Sequence, residues 1–122
     1  MVEIAGVRSG LVQGTMTAAG TLTGEIDLSN WSVAGLISDA NLINSTLTFQ
    51  VSPFSDLDTV NAARYVDVKK DDGSNLAVGP VSGAMAVRSD LVVQALAGYR
   101  YVKIKTAVAQ TNGVKFYLPV KA

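Results

Sequence analysis

Residues 98–121 read GYRYVKIKTAVAQTNGVKFYLPVK. Two alternating runs stand here, Tyr99–Thr106 and Val114–Val120, with Asn112-Gly113 between them. An Asn-Gly pair favours tight turns between antiparallel strands, so the stretch predicts a closing hairpin. Its core face would be Val102, Ile104, Phe116, Leu118 and Val120. The other face would carry Tyr99, Tyr101, Lys103, Lys105, Lys115, Tyr117 and Lys121. With the register centred near Gln110, Lys103 stands opposite Tyr117, a cation beside an aromatic ring. The same register sets Lys105 against Lys115, a repulsion that an acidic partner would relieve.

Outward from this hairpin the same period of two recurs, with β-branched residues abundant and little sustained helical period. Further strands are predicted at Leu11–Thr17, Thr21–Leu28, Ser32–Ser38, Ser45–Ser52, Ala63–Lys69, Asn75–Gly79 and Gly83–Ser89. One short helical turn is predicted within Asp90–Ala97, capped by Asp90 and ended by Gly98. KKDDGSN, residues 69–75, puts Gly73 where a left-handed residue closes a hairpin. Nine short strands with turn signals at this spacing predict an all-β domain, a jelly-roll-like β-sandwich of about eight or nine antiparallel strands. At 122 residues the chain is long enough for one such domain. Residues 20–122 are assigned to it, and residues 1–19, rich in Gly, Ala, Thr and Ser, to an extended N-terminal arm or edge strand.

Formal net charge is zero, so the global basic field of a nucleic-acid binder is missing. The charges are nevertheless uneven along the chain. Residues 1–61 hold one cation against six acids, and residues 62–122 nine cations against four acids. Complementary halves would suit head-to-tail association or docking on a charged patch. If strands of the two halves pair, the asymmetry disappears in space.

Histidine and cysteine are both absent. That removes the commonest general base, the commonest metal ligand and the thiol nucleophile, and with them Ser-His-Asp triads and zinc sites of His or Cys type. Carboxylates remain as Glu25 with Asp27, Asp56 with Asp58, and Asp71 with Asp72. A spacing of one or two residues in a strand or turn does not set two acids across a cleft, as glycoside hydrolysis requires. DDGSN lacks the ligand spacing and closing glutamate of a calcium loop. No enzyme, metal or cofactor is expected. The N-terminus has no basic-then-apolar leader pattern and no run reaches the length of a membrane span, so a protein made in a cytoplasm, without a membrane partner, is expected.

The tyrosine–lysine face of the last hairpin then has two readings. Lysine guards strand edges and tyrosine is a good strand former, which gives a plain solvated surface. Tyrosine is also enriched at contact hot spots, with lysine at their rims, which gives a partner-contact face. Trp31 begins an apolar strand and reads as a core anchor; stacking on a sugar ring is the alternative.

The ordered segments DLSNWSVAGLI, STLTFQVSPFSD, YVDVKKDDGSNLAV, ALAGYRYVKIKTAVA and KFYLPVK resemble small virion proteins of tailed bacteriophages. STLTFQVS and GYRYVKIK are also similar to strands of discoidin-like jelly rolls. The resemblance covers residues 25–122, and SPFSDLDTVNAA departs from the compact turn usual after the second segment. It implies a structural virion protein, and within that class a capsid decoration (cement) protein on the outer shell. Its partners would be the major capsid protein and copies of itself, a trimer being natural at local threefold positions. Tyr99, Tyr101, Lys103, Lys105, Lys115 and Tyr117 are the expected contact residues, together with residues 1–19. A glycan-binding module, or a tail or head–tail accessory protein, is the alternative.

Overall fold

The computed structural model describes residues 9–28, 31–87, 96 and 99–121. Ten strands follow in chain order: β1 Ser9–Met16, β2 Ile26–Asp27, β3 Ser32–Val33, β4 Leu36–Ser38, β5 Ser45–Ser52, β6 Val66–Asp67, β7 Ala77–Val81, β8 Met85–Val87, β9 Tyr101–Thr106 and β10 Val114–Lys121. They build two antiparallel sheets. The first runs β1-β10-β4-β8, with β3 also on β10; the second runs β2-β9-β5-β6, with β7 also on β5.

Strand alternation explains how the sheets face each other. In β5, Leu47, Phe49 and Val51 are buried while Thr46, Thr48 and Gln50 are only partly so. In β10, Val114, Phe116, Leu118 and Val120 are buried, and Lys115 and Lys121 are exposed. These inward sets join Val102 and Ile104 of β9, Ile26 of β2, Leu36 of β4 and Met16 of β1 in one apolar cluster. The result is a β-sandwich whose core is drawn from both sheets.

The expected closing hairpin does not form. β9 pairs with β2 and β5 in the second sheet, and β10 pairs with β1, β3 and β4 in the first. Lys103 stands opposite Gln50 and Lys105 opposite Thr48. Tyr117 stands between Gln13 and Ile37, and Lys115 opposite Thr15. The reason lies in residues 107–113, which cross from one sheet to the other. A tight Asn-Gly hairpin turn needs positive φ, and Gly113 is not among the positive-φ residues. Gly113 has another use: a Cβ there would stand 3.3 Å from the Met16 carbonyl oxygen.

Gln110 anchors the crossing. Its side chain is fully buried. Its Oε1 accepts from the Ile43 amide at 2.7 Å, and its Nε2 donates to the carbonyls of Val108 at 2.9 Å and Ile43 at 3.4 Å. Its backbone accepts from Ala19 and donates to the Gly20 carbonyl. One residue thus pins three loops through its side chain and its backbone, and a buried amide is tolerated because every hydrogen-bonding group finds a partner.

Other expectations meet the structure element by element. Ser32–Ser38 is split into β3 and β4, both lying along β10, with the Ala34 amide bonded to Pro119 between them. KKDDGSN turns as predicted: Gly73 has φ +87°, and Lys69 bridges Asn75. This small hairpin is an excursion, because β6 before it and β7 after it both run antiparallel to β5. Ser9–Met16 is paired along its length with β10 and contributes Met16 to the core. Residues 1–8 lie outside the described residues, as does the predicted helical turn apart from Leu96, which is buried. In each sheet, strands from the acidic half pair with strands from the basic half, so the charge asymmetry along the chain is not an asymmetry in space.

Candidate docking surface

The long segment that leads from β5 to β6 reads SPFSDLDTVNAARY, residues 52–65. Its fold follows from short polar side chains. At its root, the Ser52 hydroxyl accepts from the amides of Phe54 at 3.1 Å and Arg64 at 2.9 Å and donates to the Phe54 carbonyl at 2.8 Å. Further out, the Ser55 hydroxyl accepts from the Leu57 amide, and Asp58 Oδ1 accepts from the amides of Val60 and Asn61, both at 2.8 Å. These are the local side-chain-to-backbone bonds by which Ser and Asp favour turns.

A second set of bonds ties this loop to the outer face of the second sheet. Glu25 lies just before β2. Its carboxylate accepts from the Tyr65 hydroxyl at 2.6 Å, the Ser55 hydroxyl at 2.7 Å and the Asp56 amide at 2.9 Å. Lys103, projecting from β9, places its Nζ 3.0 Å from Asp56 Oδ2 and 4.2 Å from the centre of the Tyr65 ring. Burial alone would raise the Glu25 pKa; the bonds from Tyr65, Ser55 and Asp56 and the nearby Lys103 charge outweigh it and hold the carboxyl below its ordinary value. Burial and the bond to Glu25 push the Tyr65 phenol well above its ordinary value.

Locked in this way, the loop turns two aliphatic side chains outward. Leu57 is 86% exposed and Val60 88% exposed. At the loop's root lies a shallow cleft lined by Val51, Ser52, Pro53, Val66, Tyr99 and Arg100. Arg100 is held by Asp27 at 3.0 and 3.3 Å and lies 5.0 Å from the Tyr101 ring centre.

The residues expected to form one contact face are divided by this geometry. Tyr99, Tyr101, Lys103 and Lys105 belong to the second sheet and its approach, whereas Lys115 and Tyr117 lie in the first. Lys103 is committed to the latch, and Tyr101 lies beneath Arg100. Tyr99 opens onto the cleft, and Lys105 onto a separate hollow with Thr21, Thr46 and Thr48. Trp31 is half-buried against the core, its ring edge 3.6 Å from where a Cβ on Gly10 would stand. Sequence reasoning named Asp56 and Asp58 only as a carboxylate pair too close in sequence to face across a cleft, and passed over Leu57 and Val60. The available signal was the density of Ser and Asp around two aliphatics, which marks a self-bonded turn. Among the described residues no group of three acidic side chains converges to hold a metal ion. Comparison with known proteins finds no matching family model, curated protein or solved structure.

Loss of the latch is testable by itself. Glu25→Ala is expected to cost about 1–2 kcal/mol, because the Tyr65 and Ser55 hydroxyls and the Asp56 amide lose their acceptor. Faster amide exchange at Asp56 and Leu57 would report it, with the core strands unchanged. A carboxyl whose folded pKa is depressed contributes stability above its unfolded value and loses it as pH falls. Protection of the loop amides, taken relative to the intrinsic exchange rate at each pH, should therefore fall as pH drops below 4.5, the ordinary value for glutamate. Loop protection that stays flat down to acid unfolding would refute the latch.

Proposed function

We propose that this chain is a non-catalytic virion component, a capsid decoration protein of jelly-roll type that docks on the outer shell and stabilises it. The observation that carries the reading is the latched loop. Side chains as apolar as Leu57 and Val60, held far out of the core on a loop fixed by its own hydrogen bonds, suit a partner surface that buries them. A loop already ordered loses little conformational entropy on binding. The resemblance of the ordered segments to tailed-phage virion proteins supports the particle context, and the absence of histidine and cysteine agrees with a role without catalysis. The major capsid protein is the proposed partner, the capsid surface the proposed location, and self-association on the lattice part of the proposal.

Mixing the purified protein with undecorated, expanded shells of its own capsid protein tests the reading. Saturable binding and raised resistance of the shells to heat are expected. Replacing Leu57 and Val60 together by Asp should weaken binding at least about tenfold while leaving the fold intact. No binding to shells would overturn the role, and undiminished binding by the double variant would overturn the site. The cleft beside Tyr99, an aromatic ring with a guanidinium close by, favours a second reading as a glycan site. A glycan array on which Tyr99→Ala removes specific binding would establish it.

A further inference from the structure

Sheet edges expose unpaired N–H and C=O groups, and proteins usually guard them with charge, proline or brevity. Three of the edges here are guarded. β8 and β2 are short, and the β6–β7 edge is interrupted by an excursion and carries Pro80. β1 is not. Its eight residues, SGLVQGTM, contain no charge and no proline, and among the described residues only one side of the strand is paired, with β10.

Which groups point outward follows from one bond. The Thr15 carbonyl, on the side away from β10, accepts from the Gly24 amide at 3.1 Å. In an antiparallel strand each residue directs its N–H and C=O to the same side, and the side alternates. Leu11 and Gln13 therefore also direct theirs outward, and Ser9 does so at the strand's start. Among the described residues, the bond from Gly24 closes only the Thr15 end. Leu11 is 62% exposed, and Ser9, Gly10 and Gln13 are exposed with it.

We infer that the outer edge of β1 is a self-pairing surface: it takes β1 of a second copy, antiparallel about a two-fold axis through Leu11, making one continuous sheet across two molecules. The occupant must be an extended strand with a free, uncharged edge. Among the described residues β1 is itself the strand that meets this description. The register follows from the side chains. Leu11 against Leu11 places apolar on apolar, and Ser9 against Gln13 places polar on polar. No like charges meet along the strand, and zero net charge adds no overall repulsion. The interface is isologous and closes at two, so it limits growth where an open edge would otherwise propagate.

Sedimentation velocity of the purified chain over a range of concentrations, with amide exchange read alongside, tests this inference. A monomer–dimer equilibrium is expected, with the Leu11 and Gln13 amides protected more strongly at high concentration. Leu11→Lys, which sets two ammonium groups face to face at the axis, should shift the dissociation constant upward at least about tenfold. Leu11→Pro removes an outward N–H without taking a bond from β10 and should do the same. A protein that stays monomeric to the highest soluble concentration overturns the inference. So does a dimer that both folded variants leave intact, or one in which these two amides exchange at a rate independent of concentration. If the variants fail to fold, the concentration dependence of wild-type exchange decides alone. The outcome is separate from shell binding, because a monomer can dock and a dimer can fail to.

Discussion

Phe116→Ala is expected to lower folding stability by about 3–5 kcal/mol, the usual range when a fully buried phenylalanine is cut back. Phe116 has no exposed surface and sits on β10, the strand that carries β1 on one side and β3 and β4 on the other. Its register partners, Gly14 and Ser38, are small. Nothing adjacent in the sheet can swing into the space, and Gly14 is already occupied from above, since a Cβ there would meet Ile26 at 2.4 Å. Domains of this size have total stabilities of roughly 5–15 kcal/mol, so the variant should be close to unfolding at room temperature. Urea denaturation should show a lower midpoint with unchanged slope. Tyr117→Ala, one residue along and on the outer face, should cost far less. Equal losses at the two positions would contradict the assignment of faces.

Gln110→Leu is the second large effect, about 2–3 kcal/mol, although the volume is nearly conserved and the new side chain is apolar. The Ile43 amide would lose its 2.7 Å acceptor, and the Ile43 carbonyl its side-chain donor, in a buried setting. A buried group left without a partner costs about 1–3 kcal/mol. The Val108 carbonyl is less affected, because the Thr106 hydroxyl also donates to it at 2.8 Å. Amide exchange should rise first at Ile43 and Ala19, the loops that Gln110 pins, before the strands. A stability within about 0.5 kcal/mol of wild type would show that the amide is not a structural tie.

How much of this was legible in the sequence depends on whether a local or a remote partner decides the structure. Ser45–Ser52 is found at its predicted bounds because STLTFQVS alternates cleanly, and in the fold one side packs inward and the other does not. Gly73 was predictable because a left-handed position favours glycine whatever lies beyond the turn. The hairpin of residues 99–120 was misread for the opposite reason. Alternation identifies strands but not their neighbours, and the Asn112-Gly113 signal is local. What decides the outcome is Gln110 meeting Ile43 and Ala19, contacts that span more than sixty residues. The latch was hidden likewise. Glu25, Asp56, Tyr65 and Lys103 are scattered along the chain, and only the pairing of β2 with β9 and of β9 with β5 brings them together. Lys103 read as an outward cation opposite Tyr117 and a candidate contact residue, and it is instead the internal partner of Asp56.

The charge asymmetry gives a related lesson. Acidic and basic halves suggested docking between molecules, whereas both ion pairs among the described residues, Arg100 with Asp27 and Lys103 with Asp56, join one half to the other within the molecule. Outward-facing aliphatic side chains include Leu57 and Val60 on the loop and Leu11 on the β1 edge. These two surfaces lie on different elements and answer to different experiments.

Electron cryo-microscopy of shells saturated with this protein is the most direct measurement of the central claim, that the latched loop is the docking element of a decoration protein. Ordered density is expected on the outer shell, with residues 55–61 against the capsid protein and Leu57 and Val60 buried in the contact. Shells without added density, or bound molecules whose loop faces solvent, would contradict it.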